Sequence, residues 1–206
     1  AFFFAPAYHP AFQNVNPARK ALAAAGRRTI FNLLGPLLNP GNPAFQLLGV
    51  FNAASTQLVR DALVILSIRN ALVVHCELPD GTGLDELSVA GKNHALQSHD
   101  RLLLRTTFTA EDVGLPAGEV IDLKGADVAF NLQLLDTLIN NRANPTLENT
   151  VCLNAGAALL VAGEVVDFHY GAIEARKLLT AGPVRAWLAR AKTFFADHGL
   201  APAAGA

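Results

Sequence analysis

The sequence predicts an α/β domain: a largely parallel central sheet flanked by helices, with a helical C-terminal segment. Three observations lead there. Residues 46–75 place a helix-spaced segment between two short apolar runs, which is the pattern of a β-α-β unit. The C-terminal half carries four helix-length stretches with apolar stripes. The chain has 206 residues, 51% hydrophobic and 16% charged, enough for one packed core and unlike a disordered segment.

In chain order, residues 2–4 read as a buried strand. Residues 9–25 have helical spacing through Ala11, Val15, Ala18, Ala21 and Leu22, with Pro17 marking a break or a helix start. Residues 32–43 hold Gly35, Pro36, Pro40, Gly41 and Pro43 and read as a structured loop. A strand is expected at 46–51, then a helix at 56–66 capped by Ser55, with Leu58, Val59, Ala62, Leu63 and Leu66 on one face. Residues 71–75 read as a buried parallel strand and 77–87 as a turn-rich loop given backbone freedom by Gly81 and Gly83. A hairpin or meander on one edge is expected over 94–108 and a capped turn at 109–112. Helices are expected at 126–141, 150–163, 171–182 and 184–197, with Gly163 and Gly182 as C-terminal caps. No internal repeat or long linker divides the chain, so residues 1–200 form one domain and 201–206 a flexible tail.

Several function classes lose support. The net charge is -1 and the basic residues are dispersed, so no nucleic-acid-binding stripe is present. Cys76 and Cys152 lack CxxC spacing, which argues against a disulfide scaffold or a structural zinc and fits a reducing cytosol. The apolar runs fall short of the roughly 20 residues of a membrane span. The chain contains no Met and opens inside a strand-like run, as expected of a fragment or an excised domain.

Three segments could carry chemistry. His9-Pro10 with Arg19 could offer an imidazole and a guanidinium, whose fork suits a carboxylate; each alone is ordinarily structural. Residues 28–40 (Arg-Thr-Ile-Phe-Asn-Leu-Leu-Gly-Pro-Leu-Leu-Asn-Pro) form either a stiff pocket wall or a tight surface connection. Residues 81–88 carry adjacent Asp85 and Glu86 just after a buried strand, at the sheet edge where α/β proteins bind ligands. That pair is either an exposed acidic turn or a hard-oxygen site for Mg2+, which takes one or two carboxylates and fills its shell with water and phosphate oxygens. His94 and His99 lack a third metal ligand at useful spacing, and no GxSxG, HExxH, GxxxxGK[ST] or GxGxxG motif occurs.

Taken together, these segments resemble the anthranilate phosphoribosyltransferase family. The likeness runs in order through 3–11, Val15 with Arg19-Lys20, 28–40, 47–50, 71–75, 83–88, Gly125-Ala126-Asp127 with Asn131, Leu153-Asn154-Ala155 and Val161-Ala162-Gly163. The resemblance implies transfer of the phosphoribosyl group of phosphoribosyl pyrophosphate (PRPP) to the amine of anthranilate, in tryptophan biosynthesis in the cytoplasm. It implies a small helical N-terminal domain beside this large α/β domain, a cleft between them, and a homodimer. Carried over by motif, His9, Arg19, Gly35 and Pro36 line the anthranilate channel, Arg19 grips the carboxylate, and Asp85 and Glu86 hold Mg2+. No residue is assigned as a general base, because an aromatic amine is nucleophilic at neutral pH.

The chain departs from the family pattern in places. The Gly-rich phosphate loop and the Asn-Ser-Thr motif are absent, so the chain alone is expected to be inactive. Extra residues separate Arg19 from Arg28, and Cys76 to Asp80 lengthens the loop before Asp85. Gln13 stands where Lys is common, and Phe130 where Glu is common. The rivals are a pyrimidine nucleoside phosphorylase of the same architecture, which needs no carboxylate-binding Arg, and a non-catalytic paralogue that binds a ligand.

Overall fold

The computed structural model describes residues 8–9, 11–27, 29–99 and 102–198. Helices α1 (Ala11–Ala24) and α2 (Phe31–Leu37) lead into a β-α-β unit of β1 (Phe45–Gly49), α3 (Ala53–Ile65) and β2 (Asn70–Glu77). The two-residue β3 (Gly83–Leu84) and a hairpin of β4 (Lys92–His99) and β5 (Leu102–Phe108) follow. Short 3-10 turns at Glu111–Val113 and Val120–Leu123 connect to α4 (Val128–Ile139), α5 (Pro145–Ala162), α6 (Phe168–Thr180) and α7 (Pro183–Asp197). The strand expected at 2–4 and the tail at 201–206 lie outside the described residues.

The α/β class and the helical C-terminal segment are as expected, but the sheet is mixed rather than largely parallel. Its order is β1-β2-β4-β5, with β3 also on β2. Only β1 and β2 are parallel; the β2–β3, β2–β4 and β4–β5 pairs are antiparallel. A parallel return needs a long crossover. Helix α3 supplies one, whereas residues 78–91 contain only turns and β3, so the chain doubles back.

β1 and β3 share one edge of β2, end to end. β1 runs up that edge to Gly49 opposite Val74, and β3 runs down it to Leu84 opposite Cys76. The two meet head-on at the level of His75. This meeting point fixes where the chain goes after Leu84.

The period of two along β2 sorts the core into two faces. Leu72 and Val74 pack with Leu87, Val89, Phe108, Leu153, Ala157 and Val161 under α5 and α6. Ala71 and Val73 pack with Leu48, Val50, Val59 and Leu63 under α3, with Leu33 and Leu37 of α2 against them. Gly156 and Gly171 let α5 and α6 cross closely, since a Cβ on either would strike the backbone of the other helix.

Most of the helices begin at a recognisable cap. Asp127, Asn144 and Asp167 accept from the N–H of Phe130, Leu147 and Tyr170, each at 2.8 Å, and Pro145 opens α5. The start of α5 therefore lies ahead of the expected Thr150. Gly163 ends α5 in the left-handed region as expected, and Gly182, also left-handed, follows the C-cap Ala181 of α6 and at the same time opens α7. Gly81 has positive φ (80°), as its turn requires, and Gly83 does not.

Four further expectations are corrected. The cap of α3 is Asn52, whose side chain accepts from Ser55 N–H at 2.8 Å, so the helix starts at Ala53 and Ser55 is buried inside it. Its buried face is Ser55, Thr56, Val59 and Leu63, while Leu58 and Leu66 are exposed. Residues 31–37 form the short helix α2 despite Gly35 and Pro36. Pro36 lacks the N–H that would close the turn before it, and burial of Leu33 and Leu37 against the core offsets that loss. Pro17 lies inside α1 rather than at its start.

Candidate active site

The Asp85–Glu86 pair leaves β3 at the point where β1 ends. A Cβ on Gly49 would overlap the Asp85 carbonyl, so only glycine lets the loop lie down on the strand end. Val50 N–H donates to Val74 O at 2.9 Å, and the Val50 carbonyl lies 3.0 Å from Nδ1 of the buried His75. In a neutral ring that contact makes Nδ1 the donor. The same imidazole lies under Gly83, where a Cβ would strike it. The carboxylates therefore sit at the carboxyl end of the parallel pair, where the sequence places them.

The lengthening before Asp85 does not push the loop away. Residues 78–82 close a turn, with Leu78 N–H donating to Thr82 O and Gly81 N–H to Leu78 O, each at 2.9 Å. Asp80 accepts from Thr82 N–H at 2.9 Å and from its hydroxyl at 2.6 Å, and these bonds hold the Asp80 carboxyl below its usual range. The extra residues become a hairpin tip beyond β2.

Asp85 and Glu86 are both exposed. Desolvation around its carboxyl, and then the Asp85 charge, push the Glu86 pKa up. A cation between the two would relieve that repulsion. Among the described residues no group of three His, Cys, Asp or Glu converges on a metal position. Two hard carboxylates facing solvent fit Mg2+, whose other ligands can be water and substrate phosphates.

Helix α2 reaches the same strand from the other side. The Pro36 carbonyl accepts from Gln46 Nε2 at 2.9 Å, and Leu33 and Leu37 pack with Leu48 and Val50. Gly35 and Pro36 are exposed at that position. Strand β1 thus touches α2 at Gln46 and the seat of Asp85 at Gly49. Arg19 is half-buried on α1, in a shallow concavity with Asn16, Lys20, Ala23, Arg27 and Thr29 that gathers three cationic side chains. Among the described residues no hydrogen bond or ion pair joins Arg19 to Asp85 or Glu86. His9 is half-buried just before α1.

Sequence reasoning assigned no role to Gly49, His75, Asn93 or Asn154, all of which hold the carboxylate loop. A signal was present for Asn154, an amide in an otherwise apolar stretch of α5. His75 likewise interrupts the apolar run from Ala71 to Cys76 in β2. No helix among the described residues is long and apolar enough to cross a membrane, and both cysteines are free and buried.

A family model described as "Glycosyl transferase family, a/b domain" matches residues 1–185. The anthranilate phosphoribosyltransferase of Novosphingobium aromaticivorans is 38% identical over 187 residues, 91% of this chain and 54% of the relative. That of Priestia megaterium is 35% identical over 193 residues, 94% of this chain and 54% of the relative. The chain spans about half the length of the curated relatives it matches. The crystal structure of the Thermus thermophilus anthranilate phosphoribosyltransferase superposes with a TM-score of 0.77 at 34% identity, over 88% of this chain and 51% of that one. The Saccharomyces cerevisiae enzyme in complex with PRPP and Mg has a TM-score of 0.71 over 84% of this chain and 48% of that one; at 22% identity it speaks for the fold alone. With nine-tenths of its length matched by the family model and its fold shared with a solved relative, the chain belongs to the glycosyl transferase family, a/b domain.

Proposed function

We propose that this chain is the α/β part of an anthranilate phosphoribosyltransferase, which transfers the phosphoribosyl group of PRPP to the anthranilate amine and releases pyrophosphate. The observation that carries the reading is the seating of Asp85 and Glu86 at the carboxyl end of β1, the strand whose Gln46 also bonds the Pro36 carbonyl of α2. The relatives' shared name supports anthranilate and a phosphoribosyl group as the reacting partners.

In this reading Asp85 and Glu86 hold Mg2+, which when bound would neutralise charge on the diphosphate. Arg19 grips the anthranilate carboxylate with its planar fork, and His9, Gly35 and Pro36 wall the channel that aims the amine at the ribose carbon. The helical N-terminal domain closes the cleft, and the whole protein works in the cytoplasm as a homodimer.

The test is loss of anthranilate fluorescence in the full-length protein with PRPP and Mg2+. Mg2+-dependent loss is expected. Its absence, with anthranilate still bound, would favour a non-catalytic ligand-binding role.

A further inference from the structure

The carboxylate loop is held by two side-chain amides, one from the helix layer and one from the sheet. Asn154 of α5 accepts from Leu87 N–H at 3.0 Å and donates to the Leu87 carbonyl at 2.7 Å and the Thr150 carbonyl at 2.9 Å. Asn93 of β4 repeats the arrangement on the next residue, accepting from Ser88 N–H at 2.8 Å and donating to the Ser88 carbonyl at 2.9 Å. Each amide does for one residue what a neighbouring strand would do.

Residues 87 and 88 belong to no strand, yet both are completely buried. Their N–H and C=O groups would otherwise be orphaned in the core, which is costly. The Asn93 bonds are local, joining residues five apart. Those of Asn154 cross from a helix 67 residues away and end one residue from Glu86. On the other side of the pair, the Asp85 carbonyl rests on Gly49. Backbone contacts thus pin the loop at both ends and leave the two carboxylates to solvent.

We propose that Asn154 is a positioning residue for the Asp85 and Glu86 carboxylates. Through the backbone of Leu87 it fixes the place from which they project, and so sets the geometry they offer a divalent cation. This rests on reading the pair as Mg2+ ligands. Asn70 supplies the comparison: it is also buried and also tied to α5, donating to the Val161 carbonyl at 2.7 Å, but from the first residue of β2, at the end away from the carboxylates.

The experiment compares Asn154→Ala and Asn154→Asp with Asn70→Ala in the full-length protein. Asp keeps the size of the side chain and the acceptor for Leu87 N–H, but turns an oxygen toward the Leu87 and Thr150 carbonyls, so it breaks the clamp without opening a cavity. Amide hydrogen exchange without metal or substrate should quicken about tenfold over 85–88 in both Asn154 variants, with β2 and β4 still protected. The Mg2+ midpoint for anthranilate consumption should rise about tenfold, as for loss of a ligand's supporting partner. Asn70→Ala should lower the melting temperature and leave the midpoint in place. Unchanged exchange over 85–88, or a midpoint shift no larger than that of Asn70→Ala, would overturn the proposal. A wild type with no Mg2+-dependent transfer would instead sink the reading of function, and the exchange comparison would still decide the clamp.

Discussion

The Asp85 carbonyl occupies the space that a side chain on Gly49 would need. The overlap is with backbone, so no rotamer change can relieve it. Gly49→Ala is therefore expected to lift the 83–86 segment off β1 and to cost about 1–3 kcal/mol, the usual range for overpacking. Chemical denaturation reads the stability. A Mg2+ titration of the full-length protein should show a weaker midpoint, and an unaltered one would show that the carboxylates do not depend on this seat.

The β-α-β unit and the four C-terminal helices were legible because each is written in local periodicity. Val73 and Val74, on opposite faces of β2, are one example, whereas the first turn of α5, opened by Asn144 and Pro145, lies ahead of the apolar stripe that marks the helix. Helix α2 was not legible, because Gly35 and Pro36 oppose a helix locally and tertiary burial of Leu33 and Leu37 overrides them. The antiparallel return from β2 was missed because pairing partners are a non-local choice. The same holds at the site. Asp85-Glu86 stood out by composition, but its contact with Gly49 depends on β1 and β3 sharing one edge of β2.

Cys76 tests the core beside this loop. Burial pushes its thiol up to about 11, and the Cys152 thiol is raised by the same cause. At pH 8 the Cys76 thiolate is then on the order of one part in a thousand, and the thiolate is the form that reacts. Iodoacetamide at pH 8 should leave both thiols unmodified in the native chain and alkylate both in denaturant, as counted by mass spectrometry. Rapid single labelling of the native protein would contradict the burial of one of them.

Asp112 gives a pH-dependent contribution with a definite sign. Its carboxylate accepts from Thr109 N–H at 2.8 Å and from the Thr109 hydroxyl at 3.0 Å, and these bonds, the backbone one first, hold its pKa below the usual value. A carboxyl with a lowered folded pKa stabilises the fold above its unfolded value of about 3.9, and the effect is lost as pH falls through the folded one. Asp112→Asn should lower the melting temperature at pH 7, with the gap closing in acid. An equal gap at pH 7 and pH 3 would show that the charge contributes nothing.

Arg19 carries the boldest part of the functional reading, because it stands on α1, apart from the carboxylates, with Lys20 and Arg27 beside it. If its guanidinium binds the anthranilate carboxylate, removing it takes away a bidentate, charge-assisted pair and leaves the PRPP contacts alone. Such pairs contribute about 1.5–3 kcal/mol, or roughly ten- to a hundred-fold in binding. Arg19→Ala in the full-length protein should raise the anthranilate KM by that factor and barely move the PRPP KM, while Arg19→Lys should recover part of the loss. Lys20→Ala is the control for general positive charge on the same helix. A comparable rise in both KM values, or an equal effect of Lys20→Ala, would mean that α1 offers a diffuse positive field rather than a carboxylate clamp.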